Sequence, residues 1–375
     1  MLKKYYIALY LMGISNENII LIINNFTVED LKLLFKGKEL LNLQFKYNIN
    51  IEKYINKFTD SKYIMDILKK AKDIEEKSKR LKIKIIPYNN KFYPRVLKEI
   101  NNPPAILYLK GKYINKKDEK SVACVGARNI NLFGKTSIEA IVPNLVNEKF
   151  TIISGLAEGV DAKSHNICLE NNGRTIAVLA HGLDMIYPEK NKDLAQSILE
   201  NGGTLISEYP VTFGPEKYRF VNRNRIIAGL AKAVIIFQSK VKSGSMHTVN
   251  FALENDKKVF APYPAMVDES VTGLAELIKL GKAIPIRCKN DYRLIINTLN
   301  YRLNRNLKQT KNLKNAILSN LVASNVYSEI EGLNKDKSLS FYTNEETYKE
   351  FKKFLIENNL SSSEFFNAII LKYIK

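Results

Sequence analysis

The chain of 375 residues carries a formal net charge of +20 and is 45% hydrophobic, long enough for two or three domains that each bury a core. No apolar run is long enough to cross a bilayer, and residues 1–10 hold no signal-like stretch, so a soluble, cytoplasmic protein is expected. The charge invites a polyanion partner, because lysine and arginine displace counterions from phosphates, but it is unevenly spread: +12 over residues 1–120 and +4 over each of 121–290 and 291–375.

From Tyr5 to Arg80 apolar residues recur at helical spacing, as in Ile19, Ile20, Ile22 and Ile23 and in Leu31, Leu33, Leu34 and Phe35, which predicts a small helical domain over 1–80. Gly13-Ile14-Ser15-Asn16 supplies a turn and an N-cap before the Ile19 run, as in one half of a helix-hairpin-helix or SAM-like unit. Residues 81–120 read as a connecting segment. It has a short strand at Ile83 to Ile86, prolines at 94, 103 and 104 that exclude a continuous helix, and an apolar stretch from Ala105 to Leu109.

Over 121–290 short β-rich runs alternate with helix-length amphipathic ones. Strands are expected near Val122–Val125, Thr151–Ile153, Thr175–Leu179, Thr204–Ile206, Ala233–Phe237, Lys258–Ala261 and Ala283–Ile286. This is the pattern of an α/β fold, a Rossmann-like, doubly wound, mostly parallel sheet whose ligands bind at the carboxyl ends of the strands. Cys124, Cys168 and Cys288 are odd in number and widely spaced. They argue against a disulfide framework and read as small buried hydrophobes.

The residues just after the strands carry the chemistry. Gly126-Ala127-Arg128 follows the first strand of this region, Ser154-Gly155-Leu156-Ala157-Glu158-Gly159-Val160-Asp161 the second, and Ser243-Gly244-Ser245 with Thr248 comes after the strand ending at Phe237. Each is a turn in which backbone N–H groups, hydroxyls or a guanidinium can meet a phosphate. Any one of them could be a tight turn packing helix on sheet; three together favour a ligand. In Glu216 to Arg225, Lys217, Arg219, Arg223 and Arg225 interleave with Tyr218 and Phe220 and with Asn222 and Asn224. Cations that hold phosphates beside a ring that stacks on an unpaired base suit a single strand.

These motifs resemble the DNA-processing protein A (DprA/Smf) family. The resemblance rests on Val125-Gly126-Ala127-Arg128, on Ser154-Gly155-Leu156-Ala157 with Gly159, Asp161 and His165, on Gly182-Leu183-Asp184 with Tyr187-Pro188, on Ser207-Glu208-Tyr209-Pro210, and on Arg223-Asn224-Arg225 through Leu230. It implies an extended Rossmann fold that dimerises, binds and protects single-stranded DNA, and hands it to a RecA-type recombinase in recombination and in DNA uptake such as natural transformation of competent cells. It nominates Gly126, Arg128, Ser154, Gly155, Lys217, Phe220, Arg223, Asn224, Gly244, Ser245 and Thr248 for the DNA groove, with no cofactor. The chain departs from the family at His181, at Tyr263 between Pro262 and Pro264, and at Ala275, all expected at one rim of the groove.

The rest of the chain departs further. Residues 291–336 read as a basic linker, with Arg302, Arg305, Lys308, Lys311 and Lys314 at intervals of three; on a helix that spacing drifts by ~60° per step, so the cations wrap the surface. In 337–375 Leu339, Phe341 and Thr343 alternate with Ser338, Ser340 and Tyr342, and the pairs Thr343/Glu346 and Ser361/Glu364 form capping boxes. Strand, helix, helix in so short a span resembles a ribbon-helix-helix domain, which implies an intertwined homodimer. Dimerisation alone and duplex binding both remain open for it.

Two other classes compete with DNA binding. A nucleotide-processing enzyme of the phosphoribohydrolase type needs a glutamate close to its glycine and threonine, yet no acid follows Thr248 until Glu254. A Ser154/Asp161/His165 hydrolase is conceivable on residue types, but Asp161 and His165 stand one helical turn apart and suit a structural brace. A nucleotide-binding regulatory module would use the phosphate turns but would need no aromatic and cationic stretch. His165, His181 and His247 lack the spacing of metal ligands.

Overall fold

Short apolar runs between glycine- and asparagine-bearing turns become the strands of one sheet, and the amphipathic runs between them become helices on both its faces. The computed structural model describes residues 2–299. It begins with the helices α1 (Lys3–Leu11), α2 (Asn16–Asn25), α3 (Val28–Leu34), α4 (Leu40–Tyr47), α5 (Ile55–Thr59) and α6 (Ser61–Arg80). Ser15 caps α2 by accepting the Asn18 N–H at 3.4 Å, and Asp60 caps α6 by accepting the Tyr63 N–H at 3.0 Å. Each satisfies a donor that the first helical turn leaves free. Along α6, Ile64, Ile67, Ala71 and Ile74 are buried in one stripe.

The sheet then forms from β1 (Lys84–Pro87), β2 (Ile106–Gly111), β3 (Ser121–Val125), β4 (Thr151–Ser154), β5 (Thr175–Leu179), β6 (Thr204–Ser207), β7 (Ala233–Ile236), β8 (Lys258–Pro262) and β9 (Ile284–Ile286). Its order is β1-β2-β6-β5-β4-β3-β7-β8-β9. β1 and β2 run antiparallel to each other, β2 is antiparallel to β6, and every other pair is parallel. The seven parallel strands match the runs expected from the sequence. Five of them, β3 to β7, are buried along their whole length and read as largely apolar runs.

The helices α7 (Leu132–Asn147), α8 (Val160–Glu170), α9 (Lys192–Glu200), α10 (Lys217–Leu230), α11 (Gly244–Glu254), α12 (Thr272–Lys279) and α13 (Tyr292–Thr298) connect and follow the strands. Residues of α10, α11 and α12 pack on one sheet face with Val125, Val178 and Val234, and residues of α7, α8 and α13 pack on the other with Val122, Ile152 and Ile235. Residues 1–80 share a continuous core with that second face through Ile85, Tyr108, Leu179 and Leu205. The segment 81–120 supplies two strands of the sheet. Tyr292–Thr298, inside the range read as a linker, is a helix with Ile295 and Ile296 buried.

Cys124 and Cys168 are buried and free as expected, whereas Cys288 is exposed, because it precedes a short surface turn beyond β9. Residues 300–336 of the basic linker and the whole ribbon-helix-helix segment lie outside the described residues. Among the described residues no helix is long and apolar enough to cross a membrane, and no cluster of histidine, cysteine and carboxylate could hold a metal ion.

Candidate nucleic-acid interface

The succession of parallel strands reverses at β3, with β4 on one side and β7 on the other. Loops leaving neighbouring strands part at such a point and open a crevice at the carboxyl ends. A groove of about 840 Å³ lies there. Its walls are the loop Gly126 to Asn131, the start of α8 at Asp161, the α10 residues Phe220, Arg223 and Asn224, and the turn Ser243-Gly244-Ser245 with Thr248.

Three helices begin at this groove. Asn131 closes α7 by accepting the Gly134 N–H at 3.1 Å, and the Asp161 carboxylate on α8 accepts the Gly155 and Ala157 N–H groups at 3.1 and 3.4 Å. Ser243 gives α11 no side-chain cap, so the amino end of α11 keeps its affinity for an anion. The hydroxyls of Ser239, Ser243 and Ser245 bond one another at 2.5 to 3.0 Å. Such a cluster can turn its protons toward an incoming oxygen.

Eight of the eleven nominated residues line the groove together: Gly126, Arg128, Phe220, Arg223, Asn224, Gly244, Ser245 and Thr248. Ser154, Gly155 and Lys217 do not. Ser154 is buried and donates to the Cys124 carbonyl at 2.6 Å. Gly155 stands behind Arg223, and a Cβ there would lie 2.0 Å from the Arg223 Nη1. Any side chain at 155 would therefore displace that guanidinium. Lys217 is exposed at the first turn of α10.

The two groove arginines differ in kind. Arg128 is exposed, its guanidinium 5.5 Å from the Phe220 ring centre. Arg223 is 4% exposed, donates to the carbonyls of Gly155 and Val178, and has an Nε with no partner among the described residues. Burial pulls the Arg223 pKa down to about 10 against the pull of Asp161, so it stays charged at neutral pH. Burial pushes the Asp161 carboxyl upward, opposed by the Arg223 charge.

The cationic stretch that reads as one patch in sequence is divided by α10. Arg225 turns inward to a forked ion pair with Glu208 at 2.7 and 2.6 Å, and Arg219 is buried among the rings of Tyr209, Phe213 and Tyr218. Phe220, which could have belonged wholly to the core, is half-buried in the groove wall. His181, Tyr263 and Ala275, expected at the rim, are not among the residues lining the groove. His165 is fully buried with its Nδ1 2.6 Å from the Thr175 hydroxyl, so it braces α8 against β5. Gln238 was missed, though it is the second residue beyond β7 and the strand-end rule points to it. Its backbone carbonyl accepts the Ala127 N–H at 2.8 Å and its Oε1 accepts the Asn131 N–H at 3.0 Å, clamping the arginine loop.

A family model described as DNA recombination-mediator protein A matches residues 84–297, more than half of the chain. The chain belongs to the DprA/Smf family. DNA processing protein DprA of Bacillus subtilis is 39% identical over 203 residues, which cover 54% of this chain and 68% of that protein. Protein Smf of Synechocystis is 44% identical over 172 residues, 45% of this chain and 43% of that protein, and DprA of Streptococcus pneumoniae 41% over 189 residues, 50% and 66%. The chain thus spans from under half to about two thirds of these relatives. Among solved structures, that of DprA from Streptococcus pneumoniae superposes with a TM-score of 0.62 at 30% identity, covering 77% of this chain and 96% of the other. One of DNA processing protein A from Helicobacter pylori, concerned with that protein's single-stranded DNA binding mode, gives 0.52 at 31% identity, with 59% and 97% covered. The DprA/Smf fold in this chain is therefore a mostly parallel α/β sheet with the groove at its switch point.

Proposed function

We propose that this DprA/Smf chain binds single-stranded DNA in the groove without chemistry of its own, protects it, and hands it to a RecA-type recombinase in DNA uptake and recombination, acting in the cytoplasm as a homodimer. One observation carries the binding step: a single crevice holds an exposed guanidinium, a half-buried ring, a hydroxyl cluster and an uncapped helix amino end. The charges suit phosphates and the ring suits an unpaired base. The binding mode studied in the Helicobacter pylori relative supports this reading. Gly126, Arg128, Phe220, Asn224, Gly244, Ser245 and Thr248 would touch the strand, Lys217 would extend the contact along α10, and Ser154, Gly155 and Arg223 would support it from beneath. The hydroxyl of Ser154 is committed to a backbone carbonyl and His165 to Thr175, so these two residues do not form a nucleophile and its base.

The test is a fluorescence-anisotropy titration of the full chain with a labelled single strand, its duplex and a free nucleotide at physiological salt. The single strand should bind most tightly, and a recombinase should assemble on that strand faster when the chain is present. Tighter binding of the free nucleotide would replace DNA binding with nucleotide sensing.

A further inference from the structure

Beside the groove, and outside its lining, stands Tyr187. Its ring is 5.9 Å from that of Phe220 at an interplanar angle of 57°, and the residue is 44% exposed. The Tyr187 ring is the more exposed of the two and stands next to the part of the groove wall that Phe220 forms. We propose that Tyr187 is a second base-stacking site for single-stranded nucleic acid, taking the nucleobase next to the one on Phe220. This assignment rests on the binding of a single strand in the groove.

The geometry makes the pair selective. Successive bases along one strand of a duplex are spaced 3.4 Å apart and stack in parallel, so two rings 5.9 Å apart and tilted by 57° cannot both meet neighbours in such a stack. Bases that occupy both rings must be separated and turned, which only an unpaired strand permits. The loop that leads into Tyr187 is held to neighbouring segments at two residues. The Gly182 N–H donates to the Phe213 carbonyl at 2.8 Å, and Asp184 accepts the Lys77 ammonium at 2.7 Å and the Thr212 N–H at 3.0 Å. A platform fixed before the ligand arrives loses little freedom when a base lands on it.

The chain contains no tryptophan, so Tyr187→Trp introduces a lone reporter at an exposed position. With the full-length variant, a single-stranded oligonucleotide should quench its emission, whereas an abasic oligonucleotide of equal length should bind with little quenching. Tyr187→Ala should bind the single strand about tenfold more weakly by anisotropy, Tyr187→Phe should bind as the unaltered chain does, and weak duplex binding should be the same in all. Tight binding by anisotropy with no quenching of Tyr187→Trp, or equal affinity of Tyr187→Ala, would overturn the second site while leaving the groove intact. Failure of the unaltered chain to bind the strand at all would instead remove the groove reading on which the site rests.

Discussion

Arg128 and Arg223 are both arginines in one groove, but their burial sets them different tasks. Arg128→Ala should leave the melting temperature unchanged and weaken single-strand binding, with the log-log salt slope reduced by about 0.7 for one lost phosphate contact. Arg223→Ala should instead lower stability by roughly 3 kcal/mol, since it strips the buried Asp161 of its balancing charge and empties the space beneath Gly155. Thermal melts beside salt titrations separate the two, and a stable Arg223→Ala chain would contradict the supporting role. His165 adds a pH dependence. Burial, with the Arg223 charge second, holds its pKa down to about 3 against an ordinary 6.5. Above pH 6.5 both folded and unfolded chains carry it neutral. As pH falls from 6.5 toward 3 the unfolded chain takes the proton first, so stability is lost across that window. Melting temperature followed against pH should therefore fall more steeply in the unaltered chain than in His165→Leu, and parallel curves would refute the assignment.

At the scale of elements, the loops after the strands were legible because glycine, serine and charged residues interrupt β-branched runs, as at Val125-Gly126 and Ile153-Ser154. The direction of each side chain on α10 was not. Cations at 217, 219, 223 and 225 look alike in sequence, and only the pairing of Arg225 with Glu208, the ring cage of Arg219 and the bonds of Arg223 to the Gly155 and Val178 carbonyls show which of them turn away from solvent. The partnership between α6 and the Gly182 loop was equally hidden, because Lys77 and Asp184 are 107 positions apart. That contact has a consequence for the loop into α10: Asp184 also holds the Thr212 N–H, and Thr212 has a positive φ of 79°, a conformation that a β-branched residue avoids unless held. Lys77→Ala should raise amide exchange at Thr212 and Phe213, with only a small change in overall melting, since the ion pair is partly exposed. Unchanged exchange at those amides would show that the loop holds itself.

The whole chain joins a basic amino-terminal third, a nearly balanced core and a carboxyl-terminal part beyond the residues that the family model matches. Charge by location does not mark the groove: residues 1–120 carry +12, yet the groove lies in the segment that carries +4. What would concentrate attraction at the groove is the uncapped amino end of α11 beside Arg128 and Arg223, a local field that net charge does not report. A chain stopped at Lys314 keeps every groove residue and α13, so it should bind single strands with the affinity of the full chain. If residues 337–375 pair as the ribbon-helix-helix pattern implies, the same truncation should reduce duplex binding and the mass measured by light scattering, and Phe341→Asp in the full chain should reproduce the loss of mass. Loss of single-strand binding by a folded truncated chain would transfer the site to residues 315–375 and leave the core as its scaffold. An undiminished mass would place dimerisation within residues 1–314.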